Sequence, residues 1–472
     1  MVAKLSDSLR TKAKIQRWRT QPGSKGRKAT PMTSTRELLL ANLINRRTFG
    51  LLVGCCAFLV AISILSQMAN EPYHLWYARV RPFTFFWERL RERRETAVPF
   101  CHGMLKKNKF DIKNALKYMK NNTKVFIPTA NFAQMEKTDC EVFRPASGYA
   151  HRPLSEKEAK FPLAYSIMMH KDVEQVERLL RAIYMPQNYY CIHVDRKSPS
   201  AVHRAMRNIA QCFPNVFIAT RLVDVRWGMF SMLQADFNCM KDLLRYDDWR
   251  YFINLTGQEF PLVSNPELVK DLKKLNNTNF IHSWRETREE FLLRTKYRWR
   301  NNRRTNMKKG KPPYNIVIMK GSLHNFLTRD FVHYVINNAV SLQFLKWLED
   351  TWAPEETFFA SLQYNKHLKA PRCHPASPRG PIKFDFRYVV WRGGKNVCAG
   401  KWVRDVCVAG VGDLHKAMKS NGLFINKLHL SFQPLALDCL EEYHRNLTMR
   451  SVNKKFERNV TSDYNGTILT TL

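Results

Sequence analysis

Apolar positions follow two alternating periods along residues 160–275. Residues 161–169 form an apolar stretch of strand length, and so do 189–194, 216–219 and 251–255. A strand covered on both faces reads this way, because neither side of its pleat meets water. Between these stretches the period becomes helical. Val173, Val176, Leu179, Leu180 and Ile183 recur at three- and four-residue spacing, as do Leu233, Phe237, Met240, Leu243 and Leu244. That spacing puts them on one stripe of a helix, and helices are predicted over 173–184, 198–210, 232–246 and 265–275. The alternation predicts an α/β fold with a mostly parallel sheet. Ligands of such sheets sit beyond the carboxyl ends of the strands, where Asp195 and the turn at 256–261 fall.

A longer apolar segment lies near the start. Residues 48–69 carry no charged side chain and include Leu51, Leu52, Val53, Phe58, Leu59, Ile62 and Ile64. A helix of ~20 residues crosses the ~30 Å hydrocarbon layer, so the segment is long enough. Residues 1–47 before it hold twelve basic and two acidic side chains. A cleaved signal peptide has a shorter apolar region nearer the start, which favours an uncleaved anchor. Basic flanks stay in the cytosol, and Arg46 and Arg47 abut the span. The expected organisation is a single-pass type II protein. It has a cytosolic tail (1–47), an anchor (48–69), a stem (70–97), a folded domain on the luminal side (98–450) and a flexible tail (451–472).

Charge changes the picture next. The 472 residues carry 77 Lys and Arg against 40 Asp and Glu, a net +37. The cytosolic tail accounts for +10, leaving +27 beyond it, and such an excess suits an anionic partner or a phosphate-bearing ligand. The basic residues are densest at 294–311, which has nine of them and no acidic residue, with Tyr297 and Trp299 interleaved. The stretch reads as a solvated loop or as the edge of a channel for an anionic ligand. Nucleic acid uses similar surfaces, but a luminal location argues against it.

Of the eleven cysteines, Cys55 and Cys56 lie in the predicted span and nine remain. An oxidising lumen permits disulfides, and the odd number leaves at least one thiol over. There is no C-x-x-C pair and no Cys/His set at zinc spacing, so no structural metal is expected. Sequons at Asn121, Asn276, Asn446, Asn459 and Asn465 sit in polar stretches and fit N-glycosylation. Asn254 sits in an apolar strand and is expected to be buried and unmodified.

The chain has no P-loop, no G-x-S-x-G elbow and no Asp-x-Asp pair. A basic enzyme without that acidic clamp can neutralise a diphosphate with Arg and Lys.

Longer segments then become informative: 161–170, RLLRAIYMPQNYYCIHVDRK (178–197), ADFNCMKDL (235–243), 253–261, TWAPEETFFASL (351–362), VCVAGVGDL (406–414) and GLFINK (422–427). In this order they resemble the core-2/I-branching β-1,6-N-acetylglucosaminyltransferases of glycosyltransferase family 14, which also holds the peptide xylosyltransferases. The resemblance spans roughly residues 98–445. It implies a GT-A-type fold with a Rossmann-like donor half, residence in the Golgi membrane, inversion at the anomeric carbon, and no cofactor or divalent metal beside the UDP-sugar. In that chemistry an acceptor hydroxyl attacks the sugar's C1 while UDP leaves from the opposite face. A carboxylate takes the hydroxyl proton, and fixed cations stabilise the departing diphosphate.

The resemblance puts the base on Glu356, within Pro354-Glu355-Glu356-Thr357-Phe358. Without it, that Glu pair reads as a helix start favoured by the dipole. It puts the diphosphate cations on Arg404 and Lys427, a nucleoside contact on Asp195 and an aromatic at the nucleotide on Trp227, whose rival reading is core packing. Acceptor contacts map onto Trp391, Glu286, Arg294 and Lys296, or Arg298 in place of Lys296. The family's Trp-x-Tyr segment has Gly393 at the Tyr position here, which removes a stacking surface for a sugar. A pocket near 321–325 is where the sugar's 2-position would be read. The implied disulfides are Cys101–Cys439, Cys140–Cys212, Cys191–Cys239 and Cys398–Cys407. Cys373 is left over, and it or the stem is where a second copy would join.

The expected activity is transfer from UDP-GlcNAc in β-1,6 linkage to a core-1 type O-glycan (Galβ1-3GalNAc) on glycoproteins. The alternatives are the same fold with UDP-glucose or UDP-xylose, and a catalytically inactive, membrane-anchored binder of anionic glycans.

Overall fold

Four parallel strands form the centre: β1 (Leu163–Met169), β2 (Tyr189–Val194), β3 (Val216–Ile218) and β4 (Tyr251–Thr256). They lie side by side in the order β3-β2-β1-β4. In register, Ile167 faces Ile192 on one side and Leu255 on the other. β1, β2 and β4 are buried along almost their whole length, as continuous apolar runs require, while the edge strand β3 is partly exposed. The helices between them bury the stripes that the spacing marks. In Val173–Ile183, Val176, Leu179 and Leu180 are fully buried, and in Ser231–Leu243 so are Leu233, Met240 and Leu243.

Most of the remaining strands have three residues, too few to show a period. β5 (Glu259–Pro261), β9 (Arg387–Val389) and β12 (Phe424–Asn426) make a small sheet in the order β5-β12-β9. β6 (Tyr297–Arg300) and β7 (Arg303–Lys308) form a hairpin, as do β10 (Lys401–Val403) and β11 (Val406–Val408). β8 (Phe326–Thr328) adds to the main sheet antiparallel to β4. Strand order reverses between β1 and β4, and the crevice beyond their carboxyl ends is the expected ligand position.

The computed structural model describes residues 86–92, 96–122, 126–373 and 386–465. The apolar segment 48–69 lies outside them, and among the described residues no helix is long and apolar enough to cross a membrane. Part of the expected stem is folded. Residues 86–92 are helical, Phe86 and Leu90 are buried, and the Phe86 ring meets Phe132 edge-on at 5.2 Å. The folded unit therefore begins before Val98. At the other end, the helix Leu435–Asn465 runs into the segment expected as a flexible tail. Its first turns dock through Leu437, Cys439 and Leu440.

Cys101 bonds to Cys439 across 338 residues, and the Val98 N–H donates to Glu442 beside it. Cys140–Cys212, Cys191–Cys239 and Cys398–Cys407 are the other disulfides. Cys373 is a free thiol, partly buried, and burial pushes it up to about 12.

Candidate active site

Glu356 ends a short turn, Pro354–Glu356, that enters the helix Phe358–Tyr364. Ala353 precedes it in the left-handed region, at φ 50°, and its N–H donates to the Gly228 carbonyl. The carboxylate is held by two cations. Arg294 Nη1 lies 2.6 Å and Lys320 Nζ 2.7 Å from the same oxygen, Oε2. Among the described residues, Oε1 has no hydrogen-bond partner. Charge-assisted contacts of this length fix a carboxylate's orientation, and here they leave one oxygen free.

The neighbouring Glu355 is a different kind of acid. It is buried, and burial, followed by the charge of Glu356, pushes it up to about 8. It is therefore mostly protonated at neutral pH, while Glu356 keeps its cations. Environment thus raises Glu355, and of the two acids only Glu356 opens to a cavity.

That cavity, of about 540 Å³, has Glu356, Arg294 and Lys320 on one side and Trp391, Arg387 and His324 among its other walls. Trp391 is more than half exposed. Its neighbour Gly393 has φ +77°. A side chain there would meet open space but a strained backbone, so this loop is shaped for glycine. Gly321, Ser322 and His324, from the stretch expected to read the sugar's 2-position, line the same cavity. Beneath it, Arg387 Nε donates to the buried Glu259 at 2.9 Å and Arg387 Nη2 to the Asn254 carbonyl at 2.8 Å. Burial pulls His324 down to about 4, so its 3.7 Å approach to Glu259 is made by a neutral ring.

A row of rings leads away from Glu356. The Arg294 guanidinium lies 4.1 Å over Trp352. Trp352 stacks on Trp299 and meets Trp227 edge-on, each at 5.5 Å. Arg404 lies 5.3 Å over Trp227. Lys427 follows β12, donates to the Val403 carbonyl, and is pulled below its ordinary value by burial and by the charge of Arg404. Two cations that raise each other's energy are placed to gain from an anion. Asp195 caps the end of β2: its N–H bonds the Met169 carbonyl, and its carboxylate holds Lys197. Lys197 in turn donates to the Val225 carbonyl at 2.7 Å, tying that strand end to the loop that carries Trp227.

A model of the Core-2/I-Branching enzyme family matches residues 163–418. The chain belongs to this family. It is similar to the Homo sapiens beta-1,3-galactosyl-O-glycosyl-glycoprotein beta-1,6-N-acetylglucosaminyltransferase 3, at 40% identity over 323 residues, 65% of this chain and 73% of that protein. It is similar also to the Homo sapiens N-acetyllactosaminide beta-1,6-N-acetylglucosaminyl-transferase, at 37% over 343 residues, 69% of this chain and 83% of the other. The Rattus norvegicus counterpart of the first is 35% identical over 367 residues, 73% and 82% of the two chains. This Core-2/I-Branching enzyme is a glycosyltransferase.

The structure gathers the expected residues of this family member unevenly. Glu356, Arg294 and Trp391 share one cavity, and Arg404 and Lys427 cluster at the far end of the row of rings, at Trp227. Glu286 is one step removed: it pairs with Arg288, which lines the cavity, and that contact holds its carboxyl well below the usual range. Lys296 does not line the cavity; it is exposed at a helix end, near the Tyr297 ring. Arg298 pairs instead with Asp350. Trp227 is about half exposed, which favours a surface role over core packing.

Lys320 and Trp352 escaped sequence reading. Lys320 is a lone cation closing the apolar run 316–319, and that break was the available signal. Among the described residues, Cys398, Cys407 and Asp413 come close enough together to hold a metal, but the two sulfurs are bonded to each other.

Proposed function

We propose that the protein is an inverting β-1,6-N-acetylglucosaminyltransferase that moves GlcNAc from UDP-GlcNAc onto a core-1 type O-glycan without a divalent metal. The observation that carries this reading is the single free oxygen of Glu356, held at the cavity by Arg294 and Lys320. Glu356 Oε1 takes the proton of the sugar hydroxyl as that oxygen attacks C1 of the donor. Arg294 and Lys320 hold the carboxylate through the transfer. Arg404 and Lys427 take up the negative charge that grows on the departing diphosphate, and Asp195 and Trp227 lie where the nucleoside would rest. The stretch 321–324 borders the donor's 2-position, where an N-acetyl group distinguishes GlcNAc from glucose and xylose. A Golgi location and a type II anchor fit the basic leader and the apolar segment at 48–69.

The test is a transfer assay with purified protein, UDP-GlcNAc, UDP-glucose and UDP-xylose, and core-1 acceptors, with and without EDTA. GlcNAc transfer unaffected by EDTA supports the reading. Transfer of another sugar would reassign the donor, and loss restored by manganese would overturn the cation account.

A further inference from the structure

A second cleft is lined by Trp299, the ring that stacks on Trp352. It measures about 550 Å³, within the size range of small-ligand sites. One wall is the β6–β7 hairpin, part of the basic run 294–311 that the active site does not absorb beyond Arg294. The other wall comes from residues 346–350.

A two-stranded hairpin alone is marginal in water, and this one is anchored. The Trp299 N–H donates to the Asp350 carbonyl at 2.8 Å, and Trp299 stacks on Trp352. Lys309 Nζ bonds the Trp347 carbonyl and the Asp350 carboxylate, and Arg298 lies 3.5 Å from that same carboxylate. Asp350 thus answers two cations. Arg300 and Lys346, also on the walls, are exposed and have no carboxylate partner among the described residues. Two indoles, Trp299 and Trp347, complete the lining, and the Trp299 Nε1–H is buried without a hydrogen-bond partner. Glu349 stands on the rim.

This mixture has a chemical meaning. Lys309 Nζ lies 4.4 Å over the Trp347 ring and Phe344 stacks on it, so the indole that suits the apolar face of a sugar ring is Trp299, by the face turned away from Trp352. A guanidinium and an ammonium with no partner suit one carboxylate or sulfate. Glu349 can accept sugar hydroxyls, and it would repel an extended polyanion. The helix Glu289–Lys296 that carries Arg294 to Glu356 continues directly into this hairpin, so the cleft and the acceptor cavity share a rigid root.

We propose that the cleft binds an acidic sugar, carboxylated or sulfated, carried by the acceptor glycan. The second clause rests on the transferase reading above; the first does not.

The test is direct titration of the purified protein with sialyllactose, sulfated lactose, plain lactose and a glutamate-rich peptide. The acidic sugars are expected to bind about tenfold more tightly than lactose, a difference of about 1.4 kcal/mol, with the preference fading at high salt. The double variant Arg300→Ser/Lys346→Ser should lose that preference and leave lactose binding unchanged. Both positions are exposed, so folding is preserved. Equal binding of all sugars, or a preference that survives in the double variant, overturns the site. A peptide that binds as tightly as the acidic sugars overturns the sugar class. In transfer assays the double variant should raise KM about tenfold for a sialylated core-1 acceptor only. Acidic-sugar binding without transfer to any acceptor would overturn the assignment to the acceptor while the binding site stands.

Discussion

Arg294 Nη1 lies 2.6 Å from Glu356 Oε2, although 62 residues separate them in sequence. The contact joins the start of the basic hairpin segment to the carboxylate that faces the cavity. On the proposed reading it also decides which oxygen would take the proton, because Oε2 already holds two cations. Glu356→Gln should therefore lower the transfer rate by ~10²–10⁴-fold, the usual contribution of a general base. UDP affinity, measured by calorimetry, should be unchanged. Full activity in that variant would reject the base assignment.

Glu355 offers a pH test. Its carboxyl is pushed up to about 8 by burial and by Glu356. Above the ordinary carboxylate value of 4.5 the unfolded chain loses this proton, while the folded chain keeps it until near pH 8. The folded state binds the extra proton in that window, so this group's contribution to stability falls as pH rises from about 4.5 to 8. Glu355→Gln should remove that slope. The variant is expected to gain on the order of 1–3 kcal/mol relative to the parent at pH 8, with the gap closing toward pH 5, as read from denaturant midpoints.

The rings between Arg294 and Arg404 predict sensitivity at a distance. Gly228 has φ +71°, and a β-carbon there would fall 2.5 Å from Trp352 Nε1. Gly228→Ala should displace Trp352 and strain the turn. A shift of this kind beside Arg294, which holds the proposed base, should cost roughly 10²-fold in rate. The expected signature is a fall in kcat with a changed near-ultraviolet aromatic spectrum and intact far-ultraviolet dichroism.

Arg404→Ala and Lys427→Ala should each cost roughly 10²–10³-fold in kcat/KM, as loss of one preorganised charge partner does. They should also differ in pH behaviour. Arg404 helps to pull Lys427 below its ordinary value, so removing Arg404 lets Lys427 stay charged to higher pH. The alkaline limb of the pH–rate profile should move upward in Arg404→Ala. An unmoved limb would mean that Lys427 does not set it.

Asn254 is 3% exposed, and its amide donates to Asp236 and to the Leu323 carbonyl. It should remain unglycosylated, while the exposed Asn121, Asn276 and Asn446 should carry glycan. Peptide mapping before and after enzymatic deglycosylation separates the two groups.

The central sheet was legible because its strands are buried on both faces and its helices have one apolar stripe. β8 to β12 were not, since three residues do not establish a period. Glu356 was singled out through a resemblance, not through spacing: Glu355 and Glu356 are equal in sequence, and burial of the one and the cations on the other tell them apart. Lys320 and Trp352 were hidden for a related reason. Each acts on a residue far from it in the chain, and nothing local marks that partnership. Lys296 does not reach the cavity that Arg294 lines, because it ends the helix Glu289–Lys296 on its exposed side.

The Cys101–Cys439 bond has a consequence for how the molecule fails. A protease that severed any one peptide bond between those cysteines would leave both fragments covalently joined. The nicked protein would run as one species on a non-reducing gel and divide only after thiol treatment. Tension on the amino-terminal side would first meet the packed helix at 86–92, and beyond it the clasp would pass the load to the helix Leu435–Asn465.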